Sequence, residues 1–321
     1  MPGYSALRES AAWLDVSKRG KIRARGEDRL RFLHAMASQP VESLSPGQGT
    51  YALFLNAQGH IQADAELRVC QEHVLIETEP EAAGTLLRHL ERFIIMDDVT
   101  LEDATASLAA IALEGPRSDA VAAEVFGELP QGSHGHLESG GVLIARSSLT
   151  GAHGLRLITA MGRKESLVAD LERAGTAAAR AEDFRVVRVE NQVPRFGEDF
   201  SDATLPHETQ RLEAVSFTKG CYLGQEIVER VRSRGQVNRL LTGLEIDGNI
   251  APASQSAVLF EGREVGRISS PVYSPHFEKI LAFGLLRRQA AAEGSEITVE
   301  GLRGRIRSRT QQTSRNGTVK K

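Results

Sequence analysis

The chain has 321 residues, of which 41% are hydrophobic and 25% charged, with a formal net charge of -3. This composition is ordinary for a water-soluble protein of two or three domains, and the charge gives no overall attraction to nucleic acid or an anionic membrane. We expect a cytoplasmic protein, because no apolar run approaches a bilayer span, the N-terminus lacks signal-peptide blocks, and two cysteines cannot form a disulfide framework.

The first part of the chain alternates between strand and helix patterns. Hydrophobic periodicity predicts strands over 21–25, 51–55, 61–69 and 74–76, and helices around 30–36 and 82–93. Residues 56–59 read as a hairpin loop between two of these strands. The order strand, helix, hairpin, strand, helix predicts an α+β region with an antiparallel or mixed sheet.

A similar order recurs in the next hundred residues. The pattern predicts strands over 108–113, 142–144 and 155–158, and helices over 118–126, 164–174 and 182–191. The stretch 132–141 is rich in glycine, so we expect a solvated loop in which His134 and His136 do not hold a metal. Cys70 ends an apparent strand and is expected to be a packed core thiol.

The last third of the chain has a different character. Short strand-like runs over 240–246, 257–260, 264–268 and 279–285 are separated by Gly, Pro and Ser, which is typical of an all-β module. From about Arg303 the chain is basic and poor in apolar residues. The sequence therefore predicts an α+β region over 1–237, a β module over 238–305 and a disordered tail over 306–321.

Residues 219–226, with the sequence KGCYLGQE, form the most distinctive stretch. Lys219 lies two residues before Cys221, and residues 227–231 could continue as a helix or as a strand. If they form a helix, its dipole and Lys219 both favour the thiolate of Cys221. The alternative is a small buried cysteine in a glycine-rich turn.

This octapeptide resembles the K-G-C-Y-x-G-Q-E signature of the YgfZ/GcvT-like folate-binding proteins, paralogues of the glycine cleavage system T protein (aminomethyltransferase). The likeness covers roughly residues 14–286 and rests mainly on 51–59, 188–197 and 216–235. Aminomethyltransferases carry an acidic residue at the position of Cys221, so the cysteine favours the paralogues. The resemblance implies two intertwined ferredoxin-like halves followed by a small C-terminal β-barrel.

The resemblance also implies that tetrahydrofolate binds in a central pocket. Glu190 matches the glutamate that holds the pterin ring, although a solvent-facing helix position is the alternative. Asp64 is similar to the catalytic acid of the transferases, but Ala63 replaces the other member of their acidic pair, and Asp64 could instead be a polar residue on a strand face. The other predicted folate contacts are Arg188, Lys219, Tyr222, Gln225, Arg230 and Arg234.

The arginines after the octapeptide are interpreted as a site for the anionic glutamate tail of folate. RNA is the alternative ligand, but no aromatic side chains are interleaved to stack bases, so direct nucleic-acid binding is not expected. A charged, solvated face is the third possibility.

The implied function is that of a monomeric, tetrahydrofolate-binding factor in the assembly or repair of iron–sulfur enzymes, with an indirect effect on tRNA modification. Cys221 would serve redox or cluster-handling chemistry. Two cysteines cannot supply the four thiolates of a typical cluster, so iron–sulfur client or assembly proteins are expected as partners. The alternatives are a tetrahydrofolate-dependent aminomethyl or one-carbon transferase, in which Asp64 is catalytic, and an RNA-binding module.

Overall fold

The computed structural model describes residues 2–308, apart from the side chain of Arg234. The helices are α1 Pro2–Glu9, α2 Arg29–Met36, α3 Pro80–Glu91, α4 Ser118–Phe126, α5 Lys164–Arg173, α6 Ala181–Glu190, α7 Pro206–Thr209 and α8 Gln225–Arg234. The strands of the first part are β1 Ala12–Asp15, β2 Gly20–Arg25, β3 Gly49–Leu55, β4 Ile61–Val69, β5 Val74–Thr78, β6 Thr100–Asp103, β7 Leu108–Glu114, β8 His136–Ser139, β9 Val142–Arg146, β10 Gly154–Ala160 and β11 Ala177–Ala178. The later strands are β12 Arg239–Ile246, β13 Ala257–Phe260, β14 Arg263–Ser274, β15 Lys279–Arg287, β16 Glu296–Val299 and β17 Leu302–Ile306.

Two sheets form the first part of the molecule, and the chain crosses between them twice. One sheet has the order β3-β4-β5-β2-β6 and the other has the order β11-β1-β7-β10-β9-β8. The chain passes from β1 in the second sheet to β2 in the first, and later from β6 back to β7. The two units are therefore intertwined, and the predicted α+β class is confirmed.

Each sheet is covered by helices that bury one apolar stripe. In α3, which begins with a proline in its first turn, the buried residues Ala82, Leu86 and Leu90 face the first sheet. On the second sheet, Val121 of α4 and Leu167 of α5 pack in one core with residues of β7, β9 and β10. None of the helices within residues 2–308 is long and apolar enough to cross a membrane.

The last part is a closed barrel with the strand order β12-β15-β14-β13-β16-β17, as the predicted fold required. Strand β12 pairs with both β15 and β17, which leaves no unpaired edge. The sequence pattern missed β16 and β17, whose connecting residues Glu300 and Gly301 have the positive φ angles of a tight hairpin turn. In β17 buried Ile306 alternates with exposed Arg303 and Arg305, so the basic composition concealed a strand. The end of the predicted disordered tail, residues 309–321, lies outside the described residues.

Buried hydrogen bonds join the barrel to the α+β region along strand β14, a contact we call the barrel seam. Arg188 Nη2 donates to Ser270 Oγ at 2.6 Å, and Ser269 Oγ donates to Asp199 Oδ1 at 2.7 Å. Ser274 Oγ donates to Glu190 Oε1 at 2.6 Å. Three serines of one barrel strand therefore satisfy charged groups at the end of α6 and in the loop that follows.

Candidate functional site

A cavity of about 830 Å³ lies between the two sheets and α6. Tyr51 and Asp64 line it from β3 and β4 of the first sheet, and Arg156 lines it from β10 of the second. Arg195 and Arg211 enter from the loops that follow α6. The volume is within the range of roughly 300–1,000 Å³ that small-molecule sites occupy.

Asp64 is the acidic centre of one wall. Its Oδ2 accepts a hydrogen bond of 2.8 Å from the hydroxyl of Tyr51, which accepts one of 3.3 Å from Arg211 Nη1. Asp64 Oδ1 is buried and has no hydrogen-bond partner in the described structure. Burial raises the pKa of Asp64, and the negative charge of Glu79 raises it further. This carboxyl group can therefore retain a proton above the usual pH range and has one oxygen available to a ligand.

A cluster of buried opposite charges lies behind the adjoining wall, which Arg19 and Arg156 line. Glu77 Oε1 accepts a hydrogen bond of 2.8 Å from Arg19 Nε, and its Oε2 accepts one of 2.9 Å from Arg68 Nη1. Arg156 Nε lies 2.9 Å from Glu77 Oε1, as an ion pair that is not aligned as a hydrogen bond. Burial alone would raise the pKa of Glu77, but the guanidinium groups of Arg156 and Arg68 hold it well below the usual range. This carboxylate stays ionised at any physiological pH.

Of the predicted site residues, Asp64 and Arg188 line the cavity. Both terminal nitrogens of Arg188 already have partners: Nη1 donates to Val193 O at 2.9 Å and to Asp199 Oδ2 at 2.7 Å, while Nη2 donates to Glu198 and takes part in the barrel seam. Its guanidinium group therefore fixes the wall of the cavity, and no contact of Arg188 has to be supplied by a ligand.

Glu190 is not among the residues that line the cavity. Its carboxylate is fully buried, and Oε1 accepts hydrogen bonds from the Tyr4 hydroxyl at 2.7 Å and from Ser274 Oγ at 2.6 Å. Oε2 lies 3.2 Å from Arg8 Nη1. In this arrangement Glu190 joins α1, α6 and the barrel, and a pterin could reach it only after these bonds had broken. The solvent-facing alternative is wrong, and the pterin contact stays a prediction.

The predicted ligands of the octapeptide also lie outside the cavity lining. Lys219 Nζ donates to the carbonyl oxygens at the end of α2, at 2.7 Å for Ala37 and 3.4 Å for Gln39, and also to His34. Tyr222 is buried, with Lys219 Nζ 4.9 Å from its ring centroid. Gln225 Oε1 accepts a hydrogen bond from the Tyr222 N–H. Because Gln39 lines the cavity, Lys219 supports one of its walls through this contact.

Cys221 is exposed, so the buried-cysteine alternative is wrong. A helix does begin within the octapeptide, since α8 starts at Gln225, four residues beyond the thiol. Gly224 precedes this helix with φ +83°, and a Cβ there would lie 2.6 Å from Asn56 O and 2.9 Å from Leu55 Cβ. The octapeptide thus packs closely on the β3–β4 hairpin, where only glycine fits.

The basic residues after the octapeptide are dispersed. Arg230 is exposed, Arg232 lies over the Phe217 ring with 4.5 Å to its centroid, and Arg239 Nε donates to Glu208 Oε1 at 2.9 Å. Arg230, Arg232 and Arg239 do not line the cavity. Contact with a folate tail through Arg230 or Arg234 stays a prediction.

The histidines of the glycine-rich stretch lie differently from the prediction. His136 is buried in β8, with its Nε2 3.9 Å from the thiol of Cys70, so the solvated-loop prediction is wrong for this residue. Cys70 is buried as predicted. His134 lines the cavity and its Nδ1 lies 2.9 Å from Glu66 Oε2. No group of three or more His, Cys, Asp or Glu residues within 2–308 is arranged to hold a metal ion.

Several residues that line the cavity were not predicted from the sequence, among them Arg156, Arg195 and Arg211. One signal was present: Glu77 follows three apolar residues in β5, and Arg156 lies between Leu155 and Leu157 in β10. A charged residue inside a buried strand needs a charged partner, so the two positions could have been paired with each other.

Comparison with known proteins gives two family matches that together cover most of the chain. Residues 3–219 match the GCVT N-terminal domain, and residues 239–314 match the glycine cleavage T-protein C-terminal barrel domain. An aminomethyltransferase of Rippkaea orientalis is 30% identical over 92% of this chain and 84% of its own length. A chloroplastic protein of Arabidopsis thaliana, named as a transferase, is 26% identical over 89% of this chain and 67% of its own length.

The fold agrees with a solved structure of the same kind. The glycine cleavage system aminomethyltransferase T from Bartonella henselae superposes with a TM-score of 0.86 over 95% of this chain and 87% of that chain, at 20% identity. The intertwined sheets, the closed barrel and the two family matches lead to one assignment. The chain belongs to the glycine cleavage T-protein family.

Proposed function

We propose that this protein binds tetrahydrofolate in the cavity between its two sheets. The observation that carries the proposal is the free Oδ1 of Asp64, a buried acceptor on the wall of a cavity of about 830 Å³. The family uses tetrahydrofolate as substrate or cofactor. A folate offers N–H donors that a buried carboxylate oxygen can accept.

The lining suits the two kinds of surface that a reduced pterin presents. Leu14, Val16 and Phe184 supply apolar and aromatic area for a ring, while Asp64 and Tyr51 supply polar groups. When bound, tetrahydrofolate supplies nitrogen atoms that carry one-carbon units. Asp64 would lie beside the ligand and hold or release a proton, since burial raises its pKa.

We further propose that the protein works with iron–sulfur enzymes, as the YgfZ-like octapeptide implies. Cys221 supports this proposal because it is exposed and lies outside the lining of the cavity, where a partner protein can reach it. In this reading, the folate cavity and the thiol are separate working parts of the molecule. The cytoplasmic location and the indirect effect on tRNA modification belong to the same proposal.

A one-carbon transferase is the second candidate function. Asp64 favours it, because the residue lies in the cavity with one oxygen free, as a catalytic acid should. The lining lacks Cys221, so this candidate gives the thiol no part in the transfer.

A calorimetric titration with tetrahydrofolate tests the binding proposal. We expect saturable binding to the intact protein, weakened roughly tenfold or more in Asp64→Asn, since a hydrogen bond to a charged group is worth about 1.5–3 kcal/mol. Glu102→Gln is a matched control because Glu102 lies on β6 and does not line the cavity. Absence of binding by the wild-type protein would refute the proposal.

Two further assays separate the candidate functions. If the iron–sulfur proposal holds, folded Cys221→Ser binds tetrahydrofolate normally but fails to restore iron–sulfur enzyme activity in a deletion strain. If the transferase candidate holds, the protein converts an aminomethyl-loaded carrier protein and tetrahydrofolate to methylene-tetrahydrofolate, ammonia and the free carrier, and Asp64→Asn does not.

A further inference from the structure

Arg156 is a buried cation with unused hydrogen-bonding capacity on the wall of the cavity. Its side chain is 1% exposed, and it projects from the centre of β10, between two apolar neighbours. Neither Nε nor Nη1 has a hydrogen-bond partner in the described structure. A guanidinium group normally uses most of its five N–H donors when it is buried, so this one is incompletely satisfied.

Arg156 shares its anionic partner with other cations. Glu77 is a single carboxylate, yet it forms ion pairs with Arg19, Arg68 and Arg156. Glu79 compensates part of the charge of Arg19, but it is shared with Arg195. Arg156 therefore shares the carboxylate of Glu77 with two other cations and has no aligned hydrogen bond to it in the described structure. A buried guanidinium group with unused N–H donors is unfavourable unless a further acceptor is present.

We propose that the Arg156 side of the cavity is a binding subsite for a carboxylate. The planar fork of a guanidinium group matches the two oxygens of a carboxylate and binds it with charge-assisted hydrogen bonds. A monoanion fits better than a phosphate, because Asp64, Glu66 and Glu79 also line the cavity and would repel a doubly charged group.

The subsite complements the free oxygen of Asp64. Asp64 Oδ1 needs a donor and Arg156 Nη1 needs an acceptor, and both residues line the same cavity from different sheets. A ligand with N–H groups at one end and a carboxylate at the other would satisfy both. The inference rests on the proposed function where the carboxylate is the glutamate tail of tetrahydrofolate. A small carboxylic acid bound beside the folate is the other source of the same chemistry.

Acetate is the first probe, since it tests the subsite without any folate. Sodium acetate should raise the melting temperature of the wild-type protein relative to sodium chloride at equal ionic strength. The rise should vanish in Arg156→Gln and persist in Arg68→Gln. Arg68 is the matched control because it is equally buried and pairs with the same Glu77 but does not line the cavity.

Tetrahydrofolate and tetrahydropteroate, which lacks the glutamate, identify the source of the carboxylate. If it is the tail, the wild-type protein binds tetrahydrofolate roughly 10- to 150-fold more tightly than tetrahydropteroate, and Arg156→Gln abolishes the difference. If it is a separate acid, both folates bind equally and acetate does not compete with them. Arg156→Lys, which keeps the charge, should retain part of either effect.

The outcomes also separate this inference from the proposed function. One combination of results would support the subsite and refute the folate proposal. In it, acetate stabilises the protein in a manner that depends on Arg156, but tetrahydrofolate does not bind. Normal tetrahydrofolate binding without any acetate effect in the wild-type protein, and without discrimination against tetrahydropteroate, would overturn the subsite. That second result needs no variant, so it decides the matter even if Arg156→Gln fails to fold.

Discussion

The hydroxyl of Tyr51 donates a 2.8 Å hydrogen bond to Oδ2 of Asp64, and this bond orients the carboxyl group so that its other oxygen remains free. The guanidinium carbon of Arg211 lies 4.7 Å from the centroid of the Tyr51 ring, and its Nη1 donates to the Tyr51 hydroxyl. The three side chains come from β3, β4 and a loop some 150 residues further along the chain. The acidic group of the cavity is thus fixed in direction before any ligand arrives.

We expect Asp64→Asn to stabilise the protein near neutral pH. Burial, followed by the charge of Glu79, raises the pKa of Asp64 above its ordinary value of 3.8, so folding disfavours the ionised form. The stability that protonated Asp64 contributes is fully present below about pH 3.8, the ordinary pKa of the group. It is lost as the pH rises through the folded-state pKa. Removing the charge should therefore raise the free energy of unfolding by about 0.5–2 kcal/mol at pH 7.5 and change it little at pH 4. Urea unfolding at the two pH values measures the difference.

Asp15→Asn is the control of opposite sign. Burial alone would raise the pKa of Asp15, but hydrogen bonds from Ser17 and Lys164 hold it below the usual range. Its contribution to stability is present above the unfolded-state pKa and is lost on acidification, so this variant should be less stable than the wild type at pH 7.5. Equal unfolding free energies for wild type and Asp64→Asn at that pH would contradict the account of Asp64.

Glu190→Gln is expected to lower stability and leave tetrahydrofolate affinity unchanged. The carboxylate accepts hydrogen bonds from Tyr4 and Ser274 and pairs with Arg8, away from the cavity lining. Loss of its charge should cost about 1–3 kcal/mol of unfolding free energy. Tyr4→Phe, which removes one of the donors, should change stability in the same direction. A tenfold loss of folate affinity in folded Glu190→Gln would instead support the pterin contact that the motif predicts.

Gly224→Ala should destabilise the protein by at least about 1–3 kcal/mol. The glycine has φ +83°, and the added Cβ would meet Asn56 O at 2.6 Å. Gly127→Ala is the matched control, since Gly127 has φ +81° but no atom within 4 Å of the added Cβ. The difference between the two melting temperatures isolates the contact of the octapeptide with the β3–β4 hairpin. Equal losses in the two variants would mean that this contact contributes nothing.

Iodoacetamide should modify Cys221 at least tenfold faster than Cys70. Cys221 is exposed, whereas burial raises the pKa of Cys70 to about 11, so the buried thiol is almost wholly protonated at pH 8. Peptide mass spectrometry of a time course measures both rates in one sample. Comparable rates would show that the native fold gives access to both thiols.

Most of the fold could be predicted because it depends on local patterns. The alternation over Ile61–Val69 and the helical stripe of α3 are visible within ten to twelve residues of sequence. β16 and β17 were missed because their burial depends on barrel closure. The three central residues of β17 are Arg303, Gly304 and Arg305, and Ile306 enters the barrel core where β17 pairs with β12.

The site was less predictable because its contacts join distant parts of the chain. The family motif identified Asp64, but Arg211 and Arg156 reach the cavity through tertiary packing that no local pattern records. For Glu190, the motif indicated a contact with a ligand. In the structure its carboxylate is occupied by Tyr4 and Ser274, which lie 186 and 84 positions away in the sequence. A motif identifies a residue type at a position and does not reveal which groups already satisfy it.

The barrel seam limits how genes of this family can be recombined. Ser269, Ser270 and Ser274 of β14 supply hydroxyl donors and acceptors to Asp199, Arg188 and Glu190. A chimera that took its barrel from a relative without these serines would leave three buried charged groups short of partners, however well each half folded alone. Successful domain exchange should therefore require that strand β14 and the segment 188–199 come from the same parent protein.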